Sequence, residues 1–122
     1  MTVDSQVQTM SADELIEQAG VSQEFLRELS EFGVIQAERR DGRTSFDETD
    51  LEIVRAAAEL AQHGVAGRNL RVFRTSADRE AALLEQILAP ALRSRNPERR
   101  KEAVEALENL AAIASHLKHL LL

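Results

Sequence analysis

Glycine divides the first half of this chain into segments too short for anything but small helices and a hairpin, and this punctuation limits the fold more than any other feature. Ser11 is placed to cap a helix whose apolar residues Leu15, Ile16 and Ala19 share one face, with Gly20 ending it in a left-handed conformation. Val21 and Ser22 make a turn, and Ser22 caps a second helix that buries Phe25, Leu26, Leu29 and Phe32 before Gly33 stops it. Val34 and Ile35 then read as the start of two paired strands, whose tip falls at Asp41 and Gly42 because both tolerate positive φ. Two short helices, a tight turn and a β wing are the expected result.

Asp47 or Thr49 starts a third helix with an acidic first turn and a buried stripe of Leu51, Val54, Ala58 and Ala61, ended by Gly64. A short fourth helix is expected from Gly67 to Arg74, with Leu70 and Phe73 facing inward. Thr75, Ser76 and Asp78 read either as a new helix start or as a continuation. Beyond them, Ala77, Ala81, Leu84, Leu88 and Ala91 recur at steps of 4 and 3, the seam of a coiled-coil-like helix that Pro90 should kink or end. Asn96 and Pro97 open a final helix, in which Ala103, Leu107, Leu110, Ala114, Leu117 and Leu121 repeat the same spacing. The fold class is therefore mainly α: a degenerate winged helix-turn-helix with a small β wing, followed by a two-helix antiparallel hairpin. Residues 1–10 read as a polar, frayed leader, 11–74 as the winged-helix unit and 75–122 as the hairpin, a dimerisation or effector region.

A chain of 122 residues supports one modest core, or one domain with a helical extension. It has no cysteine, which excludes disulfides, thiolate metal sites and cysteine nucleophiles and fits a cytoplasmic location. No apolar run approaches the roughly 20 residues that span a bilayer, so no membrane partner is expected. The net charge of −6 is unevenly spread, with 14 acidic and 5 basic residues in 1–64 against 7 acidic and 10 basic in 65–122. Because affinity for nucleic acid comes largely from neutralising phosphates, the acidic half is a poor candidate for tight DNA binding.

The order helix, turn, helix, wing, helix, with Val21-Ser22 at the turn, Leu26-Arg27 in the second helix, Gly33-Val34-Ile35 after it and Asp41-Gly42-Arg43-Thr44-Ser45-Phe46 leading into the next helix, resembles the MerR family of transcription regulators over roughly residues 11–74. The run from His63 to Glu80, followed by Leu83-Leu84-Glu85-Gln86-Ile87-Leu88-Ala89-Pro90, looks like the C-terminal half of the actinobacterial MerR-like regulators of the FtsR group. That resemblance implies a separate DNA-binding domain nearer the N-terminus, an antiparallel helical dimer, and here a second, degenerate winged-helix unit. Where typical members carry a basic residue in the second helix this chain has Glu24, and in place of the usual aromatic pair it has Glu28 and Leu29. With Arg27 set against Glu24, Glu28 and Glu31, base readout by this helix is disfavoured.

The remaining candidates each have a plain and a sharper reading. Arg39, Arg40 and Arg43 in the wing form either a solvated loop beside Glu38 and Asp41 or a set of phosphate contacts, as in a stand-alone DNA-binding protein. Arg68, Arg71 and Arg74 recur every three residues and are expected to pair with the acidic front half, with anion binding as the alternative. Arg93, Arg95, Arg99, Arg100 and Lys101 surround the connection between the last two helices, either as a solvated turn or as a surface for DNA backbone or an acidic partner. A second apolar row, Ala106, Ile113 and Leu120, widens the stripe of the final helix, so that it either rests on the winged-helix core or joins a homodimer interface. Leu107, Leu110, Ala114, Leu117 and Leu121 are the residues expected to carry that interface. His116 and His119 lie one turn apart with no third ligand in sight, so no metal or other cofactor is expected. No phosphate-binding glycine loop or catalytic constellation points to an enzyme. Phe25, Phe32, Phe46 and Phe73 are expected to form the core, which leaves a small apolar effector between core and hairpin as a further reading.

Overall fold

A computed structural model describes residues 9–65 and 67–122, the side chain of Arg40 excepted. The chain is mainly helical, in the order α1 (Ala12–Ala19), α2 (Gln23–Glu31), β1 (Glu38–Arg40), β2 (Arg43–Ser45), α3 (Glu48–Gln62), α4 (Gly67–Leu92) and α5 (Pro97–Leu121). It divides into two compact units that meet between Arg74 and Thr75.

In the first unit each short helix is held at its start by a side chain and at its end by a residue free to turn. The Ser11 hydroxyl accepts the Glu14 N–H at 3.2 Å while the Glu14 carboxylate accepts the Ser11 N–H at 2.8 Å, a reciprocal cap. These bonds, the backbone one foremost, hold the Glu14 carboxyl below its ordinary value. Gly20 closes α1 with φ 68°. Ser22 caps α2 through the Phe25 N–H at 3.0 Å, and Gly33 at φ 73° lets the chain leave it. The wing tip consists of Asp41 at φ 53° and Gly42 at φ 75°, the two-residue loop whose twist suits a hairpin, with Arg40 opposite Arg43.

Three differences from the sequence reading have local causes. The strands begin at Glu38, because Val34 and Ile35 fold back over the end of α2, each donating its N–H to the Leu29 carbonyl, and are buried there. Residues 1–8 of the expected leader lie outside the described residues, but Met10 is buried and pairs with Phe46 in both directions at 2.8 and 2.9 Å. Phe73, expected inward, is 58 % exposed. The inward row of α4 is Gly67, Leu70 and Arg74, spaced 3 and 4, and Phe73 lies about 100° around the helix from Arg74. In α3 the buried row is Leu51, Val54 and Ala57, with Ala58 and Ala61 half-buried at its margin. Leu15, Leu29, Ile35 and Val54 are the most completely enclosed members of the core, which Leu26, Phe46 and Leu70 extend and Phe25 and Phe32 border.

In the second unit α5 runs back along the later part of α4. Lys118 meets Glu80 at 2.9 Å, and Ala77, Ala81 and Leu84 share a groove with Leu107, Ala111 and Ser115. α4 passes through Thr75 and Ser76 without a break; Ser76 donates its hydroxyl to the Glu80 carboxylate at 2.9 Å instead of capping a new start. Pro90 sits inside α4, where its ring removes one donor to the preceding turn, and the helix runs on to Leu92. Asn96 caps α5 through the Glu98 N–H at 3.0 Å, with Pro97 in the first turn. Ala103 is the sole buried hydrophobic of this unit among the described residues.

The contrast between Leu29 and Phe73 is directly measurable. Leu29→Ala should cost about 2–5 kcal/mol in urea unfolding, the usual range for a fully enclosed leucine. Phe73→Ala should stay within about 1 kcal/mol of the parent, since the ring is largely solvated already.

Candidate interaction surfaces

The charges of α2 do not act together. Glu24, Arg27 and Glu31 are exposed, whereas Glu28 is half-buried and its carboxylate accepts the Gly67 N–H at 2.9 Å. Gly67 opens α4, so Glu28 supplies both a hydrogen-bond acceptor and a negative charge to the positive end of that helix. A β-carbon at position 67 would stand 2.7 Å from the Glu28 Cδ, so any larger residue there would push the Glu28 carboxylate aside. One of the glutamates read as an obstacle to DNA is thus a structural ligand of α4, and the outward acidic character of α2 rests on Glu24 and Glu31.

Arg74 makes the complementary contact. Its Nε donates to the Gly33 carbonyl at 3.0 Å and its Nη2 to the Val34 carbonyl at 2.6 Å, just past the C-terminal end of α2. The three arginines of the row differ in their surroundings. Arg74 turns inward to backbone carbonyls, while Arg68 and Arg71 are exposed. Sequence reasoning had no handle on this role, because a carbonyl acceptor has no residue type.

The wing arginines also separate. Arg39 pairs with Thr44 in register and Arg43 is its neighbour on the other strand, so strand alternation puts Arg39 and Arg43 on opposite faces of the ribbon. Both are exposed, and the Arg40 side chain lies outside the described residues. Behind the wing, Asp47 and Asp50 cap α3 reciprocally at 2.9 and 2.8 Å. Burial pushes the Asp50 carboxyl above its ordinary value, opposed by the Asp47 backbone N–H and reinforced by the charges of Asp47 and Glu38.

The hairpin shows the largest concentration of uncovered apolar surface. Of the five residues expected at an interface, Leu107, Leu110 and Ala114 are half-buried, whereas Leu117 and Leu121 are 54 % and 75 % exposed. From the second row, Ile113 and Leu120 are exposed and Ala106 is half-buried. Leu83 and Ile87 of α4 are exposed as well. The sequence reading passed over these two; their signal was a four-residue spacing one position before the 4-and-3 seam. His63, His116 and His119 are all exposed, and among the described residues no cluster of three metal-ligating side chains occurs. Of the phenylalanines, Phe46 is core, Phe25 and Phe32 border it, and Phe25 lines a shallow open recess with Val21, Ala58 and Ala61.

Residues 8–122 match the family described as Rv1828-like, C-terminal domain. The chain belongs to this family. Two curated relatives, the uncharacterized HTH-type transcriptional regulators Mb1859 of Mycobacterium bovis and Rv1828 of Mycobacterium tuberculosis, are each 34% identical to it over 105 residues. The match covers 86% of this chain and 41% of each relative, so the chain spans less than half of their length. No helix among the described residues of this Rv1828-like domain is long and apolar enough to cross a membrane.

Two measurements follow from these contacts. Arg74→Ala should destabilise the domain by about 1.5–3 kcal/mol, the range for hydrogen bonds to a charged group, while Arg71→Ala should change stability by less than about 0.5 kcal/mol. Asp50→Asn should raise the melting temperature at pH 7. A carboxyl whose folded pKa is raised opposes folding once ionised, and the amide keeps an acceptor oxygen for the Asp47 N–H without the charge. This advantage should shrink as pH falls through the raised Asp50 value and vanish once the parent carboxyl is protonated.

Proposed function

We propose that this chain is the regulatory and dimerising domain of a cytoplasmic, MerR-like transcription regulator, related to the actinobacterial FtsR group, in which DNA is contacted mainly by a separate domain nearer the N-terminus. Membership of a C-terminal-domain family and the names of the mycobacterial regulators support the regulatory part. The first unit, in this reading, is a winged helix-turn-helix turned to scaffolding: α2 presents Glu24 and Glu31 outward and spends Glu28 on α4. The wing arginines, being divided between two faces, make a weak platform for independent DNA binding.

The observation that carries the dimer is the imbalance within the hairpin. A unit with Ala103 as its buried hydrophobic, and with Leu83, Ile87, Ile113, Leu117, Leu120 and Leu121 exposed, has a small core of its own and a broad apolar face left to bury. Burying such side chains is worth about 1.5–3 kcal/mol each, and a second copy offers the same stripe about a two-fold axis. The proposed interface thus moves outward from Leu107, Leu110 and Ala114, which help close the hairpin, to Ile113, Leu117, Leu120 and Leu121.

Sedimentation velocity at micromolar concentration should give a dimer, and Ile113→Asp with Leu120→Asp should convert it to a monomer that keeps its helical circular dichroism. A parent protein that sediments as a strict monomer removes the dimerising role.

A further inference from the structure

We propose that the end of the hairpin where α4 passes into α5, residues 93–101, is a contact surface for the phosphate backbone of nucleic acid. This goes beyond the regulatory reading, which assigns the main DNA contact to another domain, and it does not depend on the dimer.

The segment runs Arg93-Ser94-Arg95-Asn96-Pro97-Glu98-Arg99-Arg100-Lys101: five cations and one carboxylate, in a chain whose net charge is −6. All five cations are exposed. Their clustering is unfavourable for the folded chain by itself, since like charges at short range repel. The turn does not need four of them. Its shape is set by the Ser94 hydroxyl accepting the Asn96 N–H at 3.1 Å, by the Asn96 side chain accepting the Glu98 N–H at 3.0 Å, and by Pro97 in the first turn of α5. Arg100 alone among the five is engaged, donating to the Ser94 carbonyl at 2.7 Å. Among the described residues no carboxylate stands within ion-pair distance of Arg93, Arg95, Arg99 or Lys101; Glu98, Glu102 and Glu105 share the first turns of α5 without pairing with them, so the four cations are left available on a well-formed turn.

The chemistry of the patch selects between polyanions. From Arg93 to Lys101 there is no aliphatic or aromatic residue apart from the Pro97 ring, so the apolar anchor that a protein interface places at its centre is missing. Phosphate-backbone contacts need none: they are made by arginine, lysine, serine and asparagine side chains and by helix N-termini. Arginine, the prevailing cation here, meets phosphate oxygens in bidentate fashion. The positive end of α5 opens onto the same surface and adds to its potential.

The test is fluorescence anisotropy of the full 122-residue chain with a mixed-sequence DNA duplex, from low salt upward. Binding should weaken linearly on a log–log salt plot with a slope of roughly −3 to −4, as for about four neutralised phosphates. Arg95→Glu, Arg99→Glu and Lys101→Glu combined should weaken binding by about tenfold or more, with Arg→Gln and Lys→Gln at the same sites giving a smaller loss in the same direction. Arg39→Glu with Arg43→Glu should leave it within about twofold, a control for a wing site. Thermal melting and sedimentation of every variant should match the parent, so that loss of DNA binding with an intact dimer isolates this surface. The proposal is overturned if the parent does not bind at low salt, if the wing variant loses binding while the turn variants keep it, if polyglutamate competes as well as DNA, or if the turn variants alter self-association instead.

Discussion

Apolar burial in this chain is concentrated in the first unit, and most of what the protein can do follows from that distribution. Leu15, Leu29, Ile35 and Val54 are sealed among two short helices, the chain around the wing and α3, while in the hairpin Ala103 is the buried hydrophobic among the described residues. A core of that size holds the first unit together. The hairpin has paired helices and an ion pair between Glu80 and Lys118, whose attraction, chiefly through the Lys118 hydrogen bond, keeps the Glu80 carboxyl below its ordinary range. Exposed pairs of this kind contribute little to stability. The hairpin's aliphatic residues therefore remain its largest unspent source of stabilisation, which is why an assembly built through α5 is the reading that the burial pattern favours.

Charge is used in the first unit in a way that residue type alone conceals. Glu28 and Arg74 look like surface charges, yet one carboxylate accepts the first N–H of α4 and one guanidinium donates to two carbonyls beyond the end of α2. Helix ends leave backbone groups without partners, and charged side chains satisfy them more strongly than neutral ones. On α2, Glu24, Arg27 and Glu31 face outward, whereas the half-buried Glu28 is committed to the start of α4. The densest run of exposed cations lies around the α4–α5 connection.

Much of the local structure was legible in residue types. Ser11, Ser22, Asp47 and Asn96 all cap as their positions suggest, and Gly20, Gly33 and the Asp41-Gly42 pair all adopt the positive φ that their turns require. The open and mistaken readings fall where two local signals competed. Thr75 and Ser76 fitted either a cap or a continuation, and without a helix breaker before them α4 continues; Phe73 resembles a core residue, but Arg74 holds the inward position. Val34 and Ile35 have strand-like character and are buried as an irregular wrap around α2, since apolar β-branched residues fit any tight enclosure.

By itself the sequence determined the element types, their ends and the uneven distribution of charge, because capping, turn chemistry and helical periodicity act over one to four residues. Only the tertiary structure decided which apolar residues are covered and which charges are spent, because both depend on contacts across about forty positions, such as Glu28 with Gly67 and Arg74 with Gly33. A helix pattern records that a face is apolar; it cannot record whether the chain supplies enough surface to cover it. In α5 the side chains of Ile113, Leu117, Leu120 and Leu121 remain exposed, a fact of burial that helical periodicity alone does not carry.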